Sequence, residues 1–432
     1  MYKSLNQNLL WYILLLLPFT FIIGIAITEI TVLIVTLFFF YKNRSLELIR
    51  NGKFIFLLIF SIYIGISAFI KIDDNLKTSL LFHIRYPIFT LSVIFILDYF
   101  NKEIFNKNNY LLIIIFSIIS FIFFDVFIQY MSGENILGYK ILSNRISSVF
   151  GSELILGSFL LKLLFVVLWV IFYLELNISK NKNYLVVFFS LYFICIYLSG
   201  ERTSFALMCI FLFLVVFLVA KIRKILLISI TLLAVFIALS ATINIGKSDP
   251  FNRLFVKTFN QITNNLILDN KIDLANEELP TIRENITKNI QIFSNDHTGH
   301  YKLAYNLFLN QPIFGAGPKG FRYYCRSVKY EPKIGICSTH PHNIVIQIIS
   351  ETGIVGFIFY FCGLLFLIIK AYSCIKKDKL LKDKNCFLIV SIGLFVSLFP
   401  FLPGGNFFNN WLSINNYYLL GIYFYSYKKV YK

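Results

Sequence analysis

The run KIRKILLISITLLAVFIALSATI, residues 221–243, sets Lys221, Arg223 and Lys224 immediately before a stretch without a single formal charge from Ile225 to Ile243. As a helix rising 1.5 Å per residue it covers about 28 Å, the thickness of a bilayer's hydrocarbon core. It has no polar face to offer water, so its solvent is lipid. The cations at its start mark the cytoplasmic side.

The same pattern recurs along the chain. Of 432 residues 58% are hydrophobic and only 14% charged, against roughly 25% charged in a soluble domain. The apolar residues form about twelve blocks of span length. The first, Leu9 to Phe40, is too long for one span and is interrupted by Pro18, Gly24 and Thr28-Glu29, which predicts a hairpin of two helices. No small-x-small cleavage site follows Lys3, so this region is expected to be retained. Further spans are expected near Phe54–Ile70, Ser79–Tyr99, Tyr110–Tyr130, Leu154–Leu176, Tyr184–Leu198, Thr203–Ala220, Ile225–Ile243, Asn343–Ile369, Cys386–Phe401 and Trp411–Tyr427.

Lys42, Arg44, Arg50 and Lys53, then Lys180 and Lys182, then Lys221 to Lys224 fill alternate connections. Lys376, Lys377, Lys379 and Lys382 and the tail Lys428, Lys429 and Lys432 fall on the same side, so both termini are expected in the cytoplasm. Lys71–Thr78, Met131–Glu153, Ser199–Arg202, Asn244–His342 and Leu402–Asn410 are then expected outside. The expectation is an all-α polytopic membrane protein. Residues 1–243 supply nine helices, 244–342 a large, mostly helical periplasmic loop, and 343–432 three helices. The net charge of +18 punctuates the spans instead of forming one basic face, which argues for anionic lipid headgroups and against nucleic acid.

Within the long loop, Asn260 to Ile292 is polar and helix-compatible, and Tyr301 to Asn310 sets Leu303, Ala304, Leu307 and Phe308 on one face before Pro312 ends the helix. Gly315-Ala-Gly317-Pro-Lys319-Gly320 formally matches GxGxxG, but it follows a helix, contains Pro and lies outside, so it reads as a turn. Cys325 and Cys337 fall in the same loop, in an oxidising space, which predicts a disulfide just ahead of His340.

Four of the five His lie in this loop: His297, His300, His340 and His342. An imidazole can act as general base for a hydroxyl nucleophile near neutral pH. Metal ligation and structural capping are the competing readings. Neither His297-Thr-Gly-His300 nor His340-Pro-His342, with Asp296 nearby, follows a settled zinc spacing. Asn343 is a favoured N-cap, so His342 stands at a helix N-terminus, where the dipole disfavours imidazolium and favours anions. Charges in spans are few: Arg85, with Asp125 as one candidate partner and Pro87 making an irregular turn, and Lys162. Glu201-Arg202 sits in a short outer connection, where Arg202 either binds an anion or snorkels.

His342-Asn343, nine residues and then Gly353-Ile-Val-Gly356, with Glu351 ahead of the first Gly, resembles the O-antigen ligase and O-antigen polymerase superfamily. Ser199-Gly200-Glu201-Arg202, Pro312-Ile-Phe-Gly315-Ala-Gly317 and the segment Asp125 to Gly157, with Gln129-Tyr130, Gly133, Gly138 and Arg145, support the resemblance. It implies inverting, metal-independent glycosyl transfer at the periplasmic face of the bacterial inner membrane, with no cofactor. The donor would be an undecaprenyl-pyrophosphate-linked glycan. The acceptor would be the lipid A core for a ligase, or a lipid-linked glycan for a repeat-unit polymerase. His342 would be the catalytic base, with Arg202, Arg85, Arg145, Arg322, Glu201 and Asn343 around the substrate. Many ligases carry Arg after Ser-Gly in the mid-loop; this chain has Thr298-Gly299-His300. His300, Arg322, Arg326 or Arg283 would have to take that place. A protein O-glycosyltransferase is a third enzymatic reading. A polysaccharide transporter would need more ionisable groups in the spans than Lys162 and Arg85.

Overall fold

The computed structural model describes residues 2–42, 52–71, 82–99, 110–243, 245–261, 295–325, 337–377 and 380–431. Lys71–Thr78, most of Asn260–Ile292, Arg283 and Arg326 fall largely or wholly outside these residues. The described chain is helical, its only β-type pairings being the isolated bridges Glu134 with Lys140 and Leu142 with Arg145. Every apolar block read from the sequence forms a helix: α1 (Tyr2–Ile23), α2 (Ile25–Lys42), α3 (Gly52–Lys71), α4 (Arg85–Tyr99), α5 (Tyr110–Ser132), α6 (Leu156–Tyr173), α7 (Lys182–Leu198), α8 (Arg202–Leu218) and α9 (Ala220–Thr242). After α10 (Asn295–Asn310) and the short α11 (Gly320–Tyr324) come α12 (Ile344–Ile375), α13 (Leu381–Ser397) and α14 (Asn410–Tyr431). Among the described residues six helices, α2, α3, α5, α6, α9 and α12, are long and apolar enough to cross a membrane. Over the described residues the chain is an all-helical polytopic membrane protein.

The burial of those helices says where lipid is. In α6, 89% of the spanning window is buried, against 22% in α9 and 28% in α2 and α12. Yet α9 and α12 are no less apolar, and they turn Leu232, Val235, Phe361 and Ile368 outward. Such side chains are at no disadvantage in hydrocarbon. α6 is thus the inner post of the bundle, packed on α7, α8 and α13, and α14 packs on α4. Two buried polar groups of the bundle pair across helices: Trp169 Nε1 donates to Ser426 Oγ at 3.0 Å and Tyr192 to the Leu160 carbonyl at 2.8 Å.

The hairpin forms, but at Gly24 alone, which takes φ +143°. Pro18 lies inside α1, and Thr28 and Glu29 inside α2. Thr20 Oγ1 donates to Thr28 Oγ1 at 2.9 Å, whereas a continuous helix would hold those residues about 12 Å apart. Pro87 likewise sits in the first turn of α4, where a missing N–H costs little, and makes no irregular turn.

α12 is not the straight span expected. Gly353, at φ +62° and ψ −165°, breaks it after Thr352. The broken helix leaves backbone groups without partners, and at membrane depth these must be satisfied by protein. The segment Pro312–Gly317 supplies the partners. Ile354 N donates to Pro312 O at 2.9 Å and Val355 N to Ile313 O at 3.3 Å, while Ala316 N and Gly317 N donate to Ser350 O and Glu351 O, each at 2.9 Å. The contact is backbone on backbone: a Cβ on Gly353 would lie 2.2 Å from Ile313 O, and one on Gly315 2.4 Å from the Glu351 carbonyl carbon. The two glycine motifs, nearly forty positions apart in the sequence, are therefore the two halves of one joint.

Glu351, fully buried, extends this joint. It accepts from Lys319 N at 3.0 Å, Phe321 N at 3.1 Å and Gln347 Nε2 at 3.0 Å. Gln347 also donates to Asn406 Oδ1 at 2.8 Å. Leu303, Ala304 and Leu307 of α10 close a small core with Ala316, Phe321 and Cys325. Cys325 is bonded to Cys337, their Cα atoms 5.6 Å apart.

Asp125 does not meet Arg85. It accepts from Ile136 N at 2.9 Å, from Asn135 Nδ2 at 3.3 Å and from the Ser148 hydroxyl, tying down the segment after α5. Arg85 pairs with Glu29 at 2.8 Å instead and lies over the Tyr86 ring.

Candidate active site

Asn343, in extended conformation, caps α12: its Oδ1 accepts from Ile346 N at 3.1 Å, and its amide donates to Pro400 O at 2.9 Å. That anchoring places His342 at the mouth of a helix N-terminus. His342 itself has φ +59°, a left-handed backbone that costs a non-glycine residue of order 1–3 kcal/mol. Gly404 N donating to His342 O at 2.8 Å helps hold it there.

The structure gathers all four loop histidines. The ring of His342 lies 4.1 Å from that of His340 and 5.3 Å from those of His297 and His300. Their nitrogens are not equivalent. His340 Nε2 faces the Gly404 carbonyl at 3.2 Å and Nδ1 faces the Thr339 hydroxyl at 3.0 Å. A carbonyl only accepts, so Nε2 carries the proton and Nδ1 accepts; both nitrogens are committed. His342 has one such contact, Nε2 to Ser338 Oγ at 3.0 Å. A hydroxyl can donate or accept, so this contact allows either tautomer; in the one where Nε2–H donates to Ser338, the lone pair stands on Nδ1. Among the described residues no group of three or more His, Cys, Asp or Glu is arranged to hold a metal ion.

Both imidazoles are held neutral. Burial pulls His342 down to about 3, with repulsion from His340, His297 and His300 adding to it. Burial also pulls His340 down to about 4, opposed by its bond to Gly404 and reinforced by His300, Arg322 and His297. A phosphate beside His342 acts in the opposite direction, because an anion stabilises imidazolium.

A cavity of about 520 Å³ opens at this point. His342, His340, His297 and Arg322 line it from the α9–α12 connection, Glu201 and Lys162 from the bundle, Asn406 from the α13–α14 connection and Trp411 from the first turn of α14. Arg322 is exposed on α11. Its neighbour Lys319 is a cation that sequence reading passed over as part of a turn. Burial, then Arg322 and Arg85, hold the Lys319 ammonium below the usual lysine range, against the pull of Glu351. Arg85, Lys319 and Arg322 thus act on one another, although neither Arg85 nor Lys319 lines the cavity. A Lys flanked by Gly and Pro beside a His-rich segment was the one available signal.

The remaining expected residues form a second group beside the cavity. Glu201 accepts from Gly157 N at 2.8 Å, Ser158 N at 3.2 Å and Ser204 Oγ at 2.9 Å and pairs with Arg145 at 3.5 Å. Arg145 also donates to Leu154 O. Arg202 neither snorkels nor faces the cavity: it donates to Arg253 O at 3.0 Å and Gln261 Oε1 at 3.2 Å. Arg253 in turn donates to Gly200 O at 2.9 Å and Ser143 O at 3.0 Å. His300, buried on α10, meets Phe321 edge-on, 6.1 Å between centroids.

A separate apolar groove of about 360 Å³ runs between α3, α12, α13 and α14, from Lys53 to His83. Phe407 and Asn416 line both it and the His342 cavity, so the two are adjacent. Residues 185–361, which include the His342 motif, match a family model described as O-antigen ligase. No curated protein matches the chain.

Proposed function

We propose that this bacterial membrane protein, carrying an O-antigen ligase domain over residues 185–361, is an inverting glycosyltransferase of the outer face of the inner membrane. In this reading the twelve apolar blocks all cross the bilayer, both termini are cytoplasmic, and the α9–α12 connection is periplasmic. The donor is a glycan on undecaprenyl pyrophosphate. The acceptor is a lipid A core sugar, which makes the enzyme a ligase. The alternative acceptor, a second lipid-linked glycan, would make it a repeat-unit polymerase.

The acceptor hydroxyl oxygen attacks the anomeric carbon from the face opposite the phosphate. As the new C–O bond forms, the bond from that carbon to the phosphate oxygen breaks, and the lipid pyrophosphate leaves with the electron pair. The hydroxyl proton passes to His342 Nδ1. Charge growing on the leaving group is met by Arg322 and Lys319, with Arg85 behind them, so that stabilisation is strongest in the transition state. Those cations take the place of the family's mid-loop Arg. The Arg202–Arg253–Arg145 group flanks the cavity and adds to its positive field. Glu351 and Asn343 position the parts. The apolar groove receives the polyprenyl chain, since an amphiphile needs an apolar channel open to a polar cavity.

The observation that supports this most is His342. It has a strained backbone, a helix N-terminus, one uncommitted nitrogen, and a wall in common with Arg322. The test is His342→Ala expressed in a strain deleted for the wild-type gene, with glycolipids separated by size. A membrane-inserted variant should build no polymer on lipid A. Long polymer left on the carrier lipid identifies a ligase; single repeat units on lipid A identify a polymerase. Normal polysaccharide would exclude His342 as the base.

A further inference from the structure

Lys162 is the only charged residue in α6, six positions past the helix start and so roughly 9 Å into the span. A cation at that depth is unfavourable unless something compensates it, and such residues face the protein interior when they are kept. Lys162 does so: it lines the His342 cavity. Its ammonium lies 5.6 Å from the centre of the Trp411 ring. Among the described residues no carboxylate comes within ion-pair distance of it. Glu201, on the same cavity, is taken up by Arg145, Gly157 N, Ser158 N and Ser204.

The surroundings indicate what this cation meets. The pyrophosphate charges have Arg322 on the loop wall, with Lys319 acting on Arg322 from behind it. Lys162 comes from the membrane wall, together with Trp411, Ser158, Ser204, Asn409 and Asn416. Hydroxyls and amides for hydrogen bonds, and an indole face for the C–H side of a ring, form a lining suited to carbohydrate. We infer that Lys162 is a specificity-determining residue that binds a carboxylate carried by a sugar of the donor glycan, making the enzyme selective for acidic glycans. The inference rests on the glycosyl-transfer reading above. The balance is simple: a carboxylate oxygen accepts from the ammonium, and no bond is made or broken.

The experiment uses full-length protein in lipid nanodiscs. Two undecaprenyl-pyrophosphate oligosaccharides are compared, identical except that one sugar is a hexuronic acid in the first and the corresponding hexose in the second. Wild type should favour the acidic donor by about tenfold or more in kcat/KM, the worth of one charge-assisted hydrogen bond. Lys162→Met should bring that ratio close to one, and Lys162→Arg should keep it well above one. A Lys162→Met variant that lowers both donors by the same factor overturns the inference and assigns the ammonium to the pyrophosphate. An unchanged ratio also overturns it and leaves a lysine that merely reaches toward Trp411. If wild type transfers neither donor, the glycosyl-transfer reading fails. Equilibrium binding of both donors to His342→Ala protein, with and without Lys162→Met, then decides the role of Lys162 by the same ratio.

Discussion

Replacing Gly353 with Ala tests the joint on which the site is hung. The new methyl cannot avoid a conflict, because its carbon would stand 2.2 Å from Ile313 O and 2.7 Å from Gly315 N. If the joint stays closed, the residue carries a backbone conformation that only glycine readily adopts, at roughly 1–3 kcal/mol, and an overlap at roughly 1–3 kcal/mol. If Pro312–Gly317 lifts away, the four backbone bonds across the joint are lost, each worth about 0.5–1.5 kcal/mol. The two routes cost similar amounts, so the segment should open more easily by about 3 kcal/mol, or about a hundredfold in its opening equilibrium. Hydrogen–deuterium exchange on peptides covering 312–321 reads this directly. The Ala316 and Gly317 amides should lose about two orders of magnitude of protection, and transfer should fall because Lys319 and Arg322 follow that segment. Gly363→Ala is the control: no atom lies within 4 Å of its added carbon, and exchange at 312–321 should not change. Equal protection in Gly353→Ala and wild type would refute the joint.

The two histidines at the helix mouth should separate. His342→Ala should abolish transfer, while His340→Ala should leave measurable turnover with a poorer KM; equal, complete loss in both would contradict the distinction drawn from their nitrogens. With His342 at about 3, kcat/KM should stay flat from pH 8 to 5, and an acid limb near 6.5 would place the imidazole in an ordinary environment. His340 and His342 are protonated in the unfolded chain below about pH 6.5 but in the folded chain only below about 4 and 3. The outer region should therefore lose stability as pH falls through that window, seen as a thermal midpoint lower at pH 4.5 than at pH 7. Arg202→Lys should cut transfer by about tenfold or more, because one ammonium cannot span Arg253 O and Gln261 Oε1; unchanged activity would make Arg202 dispensable. Cys325→Ser should destabilise the loop by up to about 3 kcal/mol, measured as faster proteolysis ahead of His340 under oxidising conditions, and identical digestion would show that the bond adds nothing.

Much of this architecture was legible in the sequence because lipid imposes a simple rule. A helix that meets hydrocarbon on its outside and protein on its inside must be apolar all round, so block length located α5, α6 and α9. Turn and cap chemistry is equally local: Asn343 caps α12 and Gly24 turns the hairpin for reasons carried by those residues themselves. The same holds for His342 at a helix start, and for Cys325 and Cys337, which lie close in the chain. The errors were non-local. Asp125 is only one candidate partner for Arg85 on the sequence, and the structure has Asp125 bind its own following segment while Glu29 reaches Arg85.

What the sequence by itself determined is which residues live in lipid and which imidazole opens a helix, since each follows from neighbours within a few positions. Only the tertiary structure decided that α12 breaks at Gly353 and is mended by Pro312–Gly317. It also decided that Arg322 rather than Arg202 lines the cavity of the histidines, and that Lys162 shares it. Those outcomes depend on which backbone groups a broken helix leaves open and which distant segment fits against them. A pattern along one chain records the solvent each residue prefers; it does not record which residue lies across a cavity.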